Sequence, residues 1–177
     1  PHPTRAMRAY GLAALALALL APATAGAQED TPLSPAAAQL LHRRVDAVLA
    51  GCPRPLPRAH CPAGRLLRAQ PPQTVRTAEG LRVTTQEAEY EGLALFLHQQ
   101  RVVGLAVTDA RWPVPQGLGM GSSAARIRAV LGPPSSTGGS PDGSTGLSYC
   151  ERENCVQFLL DPAGQRITRV RWSFYYD

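Results

Sequence analysis

The sequence contains no lysine; all 18 of its basic side chains are arginines. The absence reads as codon bias rather than as a physical requirement, yet it bears on one chemistry. The glycine-rich stretch Gly117–Ser123 lacks the lysine of a nucleotide-binding phosphate loop, and no dinucleotide-binding unit follows it. Helix capping and tight turns account for its glycines and serines. Aromatic residues are scarce, at 6%, and the most basic part of the chain, Arg43 to Arg82, interleaves none with its arginines. A nucleic-acid groove needs stacking rings beside its charge, so no nucleic-acid partner is expected. No His-x-x-x-His pair occurs, and His42, His60 and His98 sit in no recognisable catalytic signature. The expectation is a protein without cofactor, metal or catalysis.

The apolar run Leu12–Leu20 is too short to span a membrane. With Arg8 before it and Ala25-Gly26-Ala27 after it, residues 1–27 read as a secretory signal whose start is Met7. Cleavage there would remove Arg5 and Arg8, two of the five net positive charges. No cysteine follows the cleavage site, so lipid attachment there is not expected. The expected location is periplasmic or secreted. The four cysteines suit such a compartment. Of three possible connectivities, local pairs Cys52–Cys61 and Cys150–Cys155 are expected. A zinc site is the alternative, although spacings of eight and four residues fit a zinc ribbon poorly.

Ser34-Pro35 starts an amphipathic helix over 35–50 that Gly51 and Pro53 end. Residues 51–73 read as a disulfide-pinned loop rich in proline and arginine. Three period-two runs follow, at 75–86, 93–97 and 103–107, each greasier on one face. Ser122 or Ser123 caps a second helix over 123–131, which Gly132-Pro133-Pro134 stops. A Ser/Gly/Pro/Asp loop over 135–146 leads to three last strands, at 147–150, 155–160 and 165–175.

The segment Arg44–Gly51 echoes Arg126–Gly132, and the strands after each also match in outline. The fold class expected from this duplication is α+β, with two tandem repeats, 28–116 and 117–177. Each repeat would be a helix plus an antiparallel meander, with both helices on one face of the sheet. Within the second repeat, Gly-x-Gly-x-Gly-Ser-Ser, Ile127, Val130-Leu131-Gly132-x-Pro134, Leu147-x-Tyr149, Val156-x-Phe158 and Gly164 resemble the SmpA/OmlA type of periplasmic domain. That family serves the outer-membrane assembly machinery and shares its fold with the β-lactamase inhibitor protein. The resemblance covers roughly residues 117–172. It implies an α+β module, and the tandem arrangement is similar to the inhibitor, which plugs an enzyme pocket with an acid on an exposed hairpin. Acidic candidates for such a tip are Glu87, Glu89, Glu151 and Glu153. The assembly lipoproteins carry a lipidated cysteine after the signal, and this chain does not.

On the last strand, Val170, Trp172, Phe174 and Tyr176 fall on one face and Arg169, Arg171 and Tyr175 on the other. The first set reads as core. The second, with Tyr149 near it, has the Arg/Tyr composition that protein interfaces favour. The function expected is therefore non-catalytic protein binding through the open sheet face. The alternative is envelope assembly or maintenance, with Arg54, Arg58, Arg65 and Arg68 contacting anionic lipid or lipopolysaccharide. Enzyme inhibition of the β-lactamase-inhibitor type is the remaining reading.

Overall fold

A computed structural model of the chain describes residues 32–43, 45–139 and 144–174. The expected signal segment and Tyr175 lie outside these residues. Among these residues three short α-helices, α1 (Pro35–Arg43), α2 (Val45–Val48) and α3 (Ala124–Leu131), accompany ten strands. The strands are β1 (His60–Cys61), β2 (Gly64–Ala69), β3 (Gln73–Arg76), β4 (Arg82–Tyr90), β5 (Leu93–His98) and β6 (Arg101–Val107), then β7 (Ser136–Gly139), β8 (Thr145–Glu151), β9 (Asn154–Leu160) and β10 (Ile167–Ser173). All belong to one antiparallel sheet in the order β1-β2-β4-β5-β6-β10-β9-β8-β7, with β3 pairing the near end of β4.

This architecture corrects the expected fold class. The described residues are mostly antiparallel sheet, and the longest helix among them has nine residues. It does not divide into two repeats of a helix and a three-stranded meander, for six strands lie in the first half and four in the second. Three misreadings produced the difference. The loop expected over 51–73 contains β1 and β2. A register shift between Leu66 and Arg68 hides the alternation of β2, leaving Leu66 and Leu67 adjacent in sequence. The run read as one strand at 75–86 is a hairpin, turned at Thr77–Leu81 with Gly80 at φ +82°. The loop expected over 135–146 contains β7, whose exposed Ser-Thr-Gly-Gly carries no apolar signal at all.

The core lies on one face of the sheet. Leu93, Leu95, Leu105 and Val107 from β5 and β6 meet Val170 and Trp172 from β10, Val156 and Phe158 from β9, and Leu147 and Tyr149 from β8, all buried. The helices close this core with Leu40, Leu41, Ile127 and Leu131. Trp172 Nε1 donates to the Leu40 carbonyl at 3.2 Å, and Ser34 Oγ donates to the Leu131 carbonyl at 2.7 Å, tying α1 to the sheet and to α3. Ser123 caps α3 by accepting from Arg126 N–H at 3.1 Å. The glycine stretch before it is sewn to β10, since Gly121 N–H reaches the Ile167 carbonyl and Ile167 N–H the Ser122 carbonyl. Its role is therefore the capping and turning read from the sequence.

The cysteines pair as expected, Cys52 with Cys61 and Cys150 with Cys155. Such cross-links belong to an oxidising compartment, the periplasm or the cell exterior. The first pins the Pro-rich loop beside Tyr90, whose hydroxyl accepts from Arg58 N–H at 2.9 Å and donates to the Arg58 carbonyl at 2.8 Å. Among the described residues no helix is long and apolar enough to cross a membrane.

Just past β4, Glu91 accepts from Arg65 Nε and from Arg111 Nη1, each at 2.6 Å. The Arg65 hydrogen bond, helped by the charges of Arg65 and Arg111, holds its carboxyl below the usual range against a smaller opposing effect of burial. A depressed folded-state pKa contributes stability above the unfolded carboxylate range, and that contribution is lost as pH falls through the folded value. Glu91→Gln is therefore expected to lower the denaturant midpoint at neutral pH and to flatten its fall in acid. Parallel acid limbs for the two proteins would refute this role.

Candidate binding face

The opposite face of the sheet is uneven in composition. Because residues paired across antiparallel strands point to the same side, the register orders this face in rows. One row runs from Glu89 on β4 through Ala94 on β5 and Ala106 on β6 to Arg171 on β10. The next runs from Glu87 through Phe96 and Gly104 to Ser173. Arg169 stands two positions beyond Arg171, opposite Leu159 of β9.

Phe96 dominates the middle of the face and is 40% exposed. Its ring lies against Gly104, where an added Cβ would meet Phe96 Cδ2 at 3.1 Å and Phe96 Cβ at 3.2 Å. Glycine at 104 thus lets the ring settle over β6. Beside it runs a groove of about 430 Å³ floored by Ala94 and Ala106 and bounded by Leu67, Glu89, Arg169 and Arg171. Leu67, 53% exposed, adds a second apolar side chain at the β2 edge. Three strand spacings of about 4.8 Å separate β4 from β10, so the acidic and basic walls stand roughly 14 Å apart, too far to pair with each other.

The wall residues are partly anchored. Arg68 Nη2 donates to Glu89 Oε2 at 3.1 Å, and Arg171 Nη2 donates to Gln157 Oε1 at 2.8 Å. Glutamine carries no charge, so among the described residues the Arg171 guanidinium meets no carboxylate. Among the described residues Glu87 and Arg169 make no ion pair. The face therefore presents an apolar centre between a row of carboxylates and a row of guanidinium groups.

The residues singled out in the sequence fall in three places. Arg169 and Arg171 are exposed on this face, as the alternation on the last strand implied. Tyr149 is a correction. It is fully buried on the core side, donates to the Gly132 carbonyl at 2.8 Å and meets Phe158 edge-on at 6.0 Å. Burial pushes its hydroxyl pKa up, with the Arg128 charge acting in the opposite direction. The cause is period two itself, since Leu147 and Tyr149 share a side of β8 that its pairing with Phe158 and Val156 turns inward. The four arginines of the basic stretch do not form one cluster. Arg54 reaches Asp46 at 3.4 Å, Arg58 reaches the Arg54 carbonyl at 3.3 Å, Arg65 bonds Glu91 and Arg68 bonds Glu89. Only Arg68 borders the open face, beside Glu89.

Of the acids considered as hairpin tips, Glu87 and Glu89 stand within β4, Glu151 bonds His42 of α1, and Glu153 lies exposed in the turn between β8 and β9. Phe96 and Leu67 were not singled out as site residues. The available signal was a phenylalanine on the odd side of Leu93-Ala94-Leu95-Phe96-Leu97, where the small alanine before it leaves it standing proud. Among the described residues no three of His, Cys, Asp and Glu come together to hold a metal ion. No protein-family model matches the chain, and no curated protein or solved structure matches it.

Proposed function

We propose that this protein is a non-catalytic binding module of the periplasm or the cell exterior that takes a protein partner on the open face of its sheet. The observation that carries the reading is Phe96, an exposed aromatic ring on a floor of Gly104, Ala94 and Ala106 between charged walls of opposite sign. Aromatic and arginine side chains concentrate interface energy when water is excluded around them, and charge of both signs favours a partner with its own mixed pattern. The two disulfides support an envelope or extracellular setting. The Arg-rich stretch supports contact with anionic lipid or lipopolysaccharide less well, because Arg54, Arg65 and Arg68 already face carboxylates.

The test is capture from an envelope extract, including differently tagged copies of the chain, at low and high salt. A protein held through Phe96 is expected to survive added salt, whereas attachment through surface arginines alone would be screened away. Phe96→Glu should reduce recovery by about tenfold or more, the scale of an aromatic hot spot. Equal recovery by the original and Phe96→Glu baits would move binding off this face.

A further inference from the structure

We infer that the partner on this face is a second copy of the same chain, docked sheet to sheet about a two-fold axis that runs parallel to the strands between β5 and β6. The inference rests on the binding-face reading above and specifies the occupant. Its warrant is the register. Within the row Arg68–Glu89–Ala94–Ala106–Arg171–Gln157, a carboxylate on β4 is followed by two methyl groups and a guanidinium on β10, while the outer Arg68, bonded to Glu89 of its own chain, falls opposite the neutral Gln157 of the other copy. Rotation about the stated axis reverses the order of a row while keeping its height along the strands. Glu89 of one copy then lies opposite Arg171 of the other, and Ala94 lies opposite Ala106.

Symmetry makes each of these contacts twice, as an isologous interface requires. A two-fold axis laid across the strands would instead set Glu89 over Glu89 and Arg171 over Arg171. Like charges placed face to face are strongly disfavoured, so the charges select the first arrangement. In the neighbouring row, Phe96 leans over Gly104 of its own chain and so comes close to the axis. The two Phe96 rings meet there. Packed sheets lie about 10 Å apart with strands nearly aligned, and a layer of phenylalanine and alanine side chains fills that gap. The alanine floor admits this approach, since nothing longer than a methyl group stands between the walls in the Glu89 row.

Light scattering of the purified protein over a concentration series tests the inference. The mass is expected to rise toward twice that of the chain. Glu89→Arg and Arg171→Glu should each weaken self-association by about tenfold or more, since each turns two opposite-charge contacts into like-charge ones. Mixing the two variants should restore pairing, because every contact in the mixed dimer again joins opposite charges. Poor folding of either variant cannot produce that recovery. All four native cysteines are paired, so Phe96→Cys supplies a second readout, a cross-link formed through the axis under mild oxidation.

A protein that stays monomeric at every concentration overturns the inference, as does undiminished pairing by both charge variants. Should the monomer still capture another protein and lose it on Phe96→Glu, the second copy is ruled out and the binding face stands. Should Phe96→Glu change neither self-association nor capture, both readings fall.

Discussion

Trp172→Ala is expected to be the most damaging single substitution, at about 3–5 kcal/mol, the usual cost of deleting a buried tryptophan. The ring is fully buried, between Leu105 of β6 and Val156 of β9 in the sheet register. Its indole N–H also carries a bond to Leu40 in α1, 132 positions away in sequence. A nine-residue helix has little stability of its own, so this contact and the apolar side chains around it largely decide whether α1 stays docked. Domains of this size are commonly stable by only about 5–15 kcal/mol. Urea unfolding followed by circular dichroism measures the loss. The neighbouring Arg171→Ala, on the exposed side of the same strand, should stay within about 0.5 kcal/mol when both are measured at concentrations too low for self-association. Similar costs for the two would contradict the assignment of faces on β10.

The second large effect concerns the disulfides, which should not be equivalent. Replacing Cys52 and Cys61 with serine should cost about 2–4 kcal/mol. The bond closes a nine-residue separation around a proline-rich loop, and both cysteines are buried against the core. Losing it frees the segment that Tyr90 grips at Arg58. The Cys150–Cys155 bond closes a separation of only five, and the strands that flank it already pair at Glu151–Asn154 and Tyr149–Val156. Loop length alone makes it weaker by roughly 0.5 kcal/mol, and the hairpin's own hydrogen bonds reduce the difference it makes further. Thermal melts of the two double variants compare them directly. A larger loss from the hairpin pair would show that the loop over 53–59 is not held as described.

The strands from Leu93 onward, β7 apart, were legible because apolar residues alternate there against small or polar ones. The local cysteine pairs were legible from their spacing. The first half was harder to read. A bulge in β2 erases the alternation that would have announced a strand, and an internal turn at Gly80 looks like the middle of one long run. The likeness of Arg44–Gly51 to Arg126–Gly132 is one of sequence, and it says nothing of how many strands follow each. On the candidate face, Arg169 and Arg171 were legible from period two, whereas Tyr149 was assigned by composition and sits on the other side. Phe96 was passed over because a phenylalanine among leucines reads as core. Its exposure depends on Gly104, a strand away, and on a register that sequence periodicity does not contain.

Neighbouring strands along the described sheet are consecutive in the chain except β2 with β4, which skip only β3, and β6 with β10, where Val107 pairs with Val170 across the longest separation. Hairpins on either side can form early from local contacts, but this seam must close a long stretch of chain and is expected to form late. The row from Glu89 to Arg171 crosses that seam, so neither half of the sheet can display it alone. A chain stalled with its seam open would carry the carboxylates without the guanidinium groups that answer them. Pairing through this face would thereby admit finished molecules and pass over incomplete ones, a form of proofreading that follows from strand order alone.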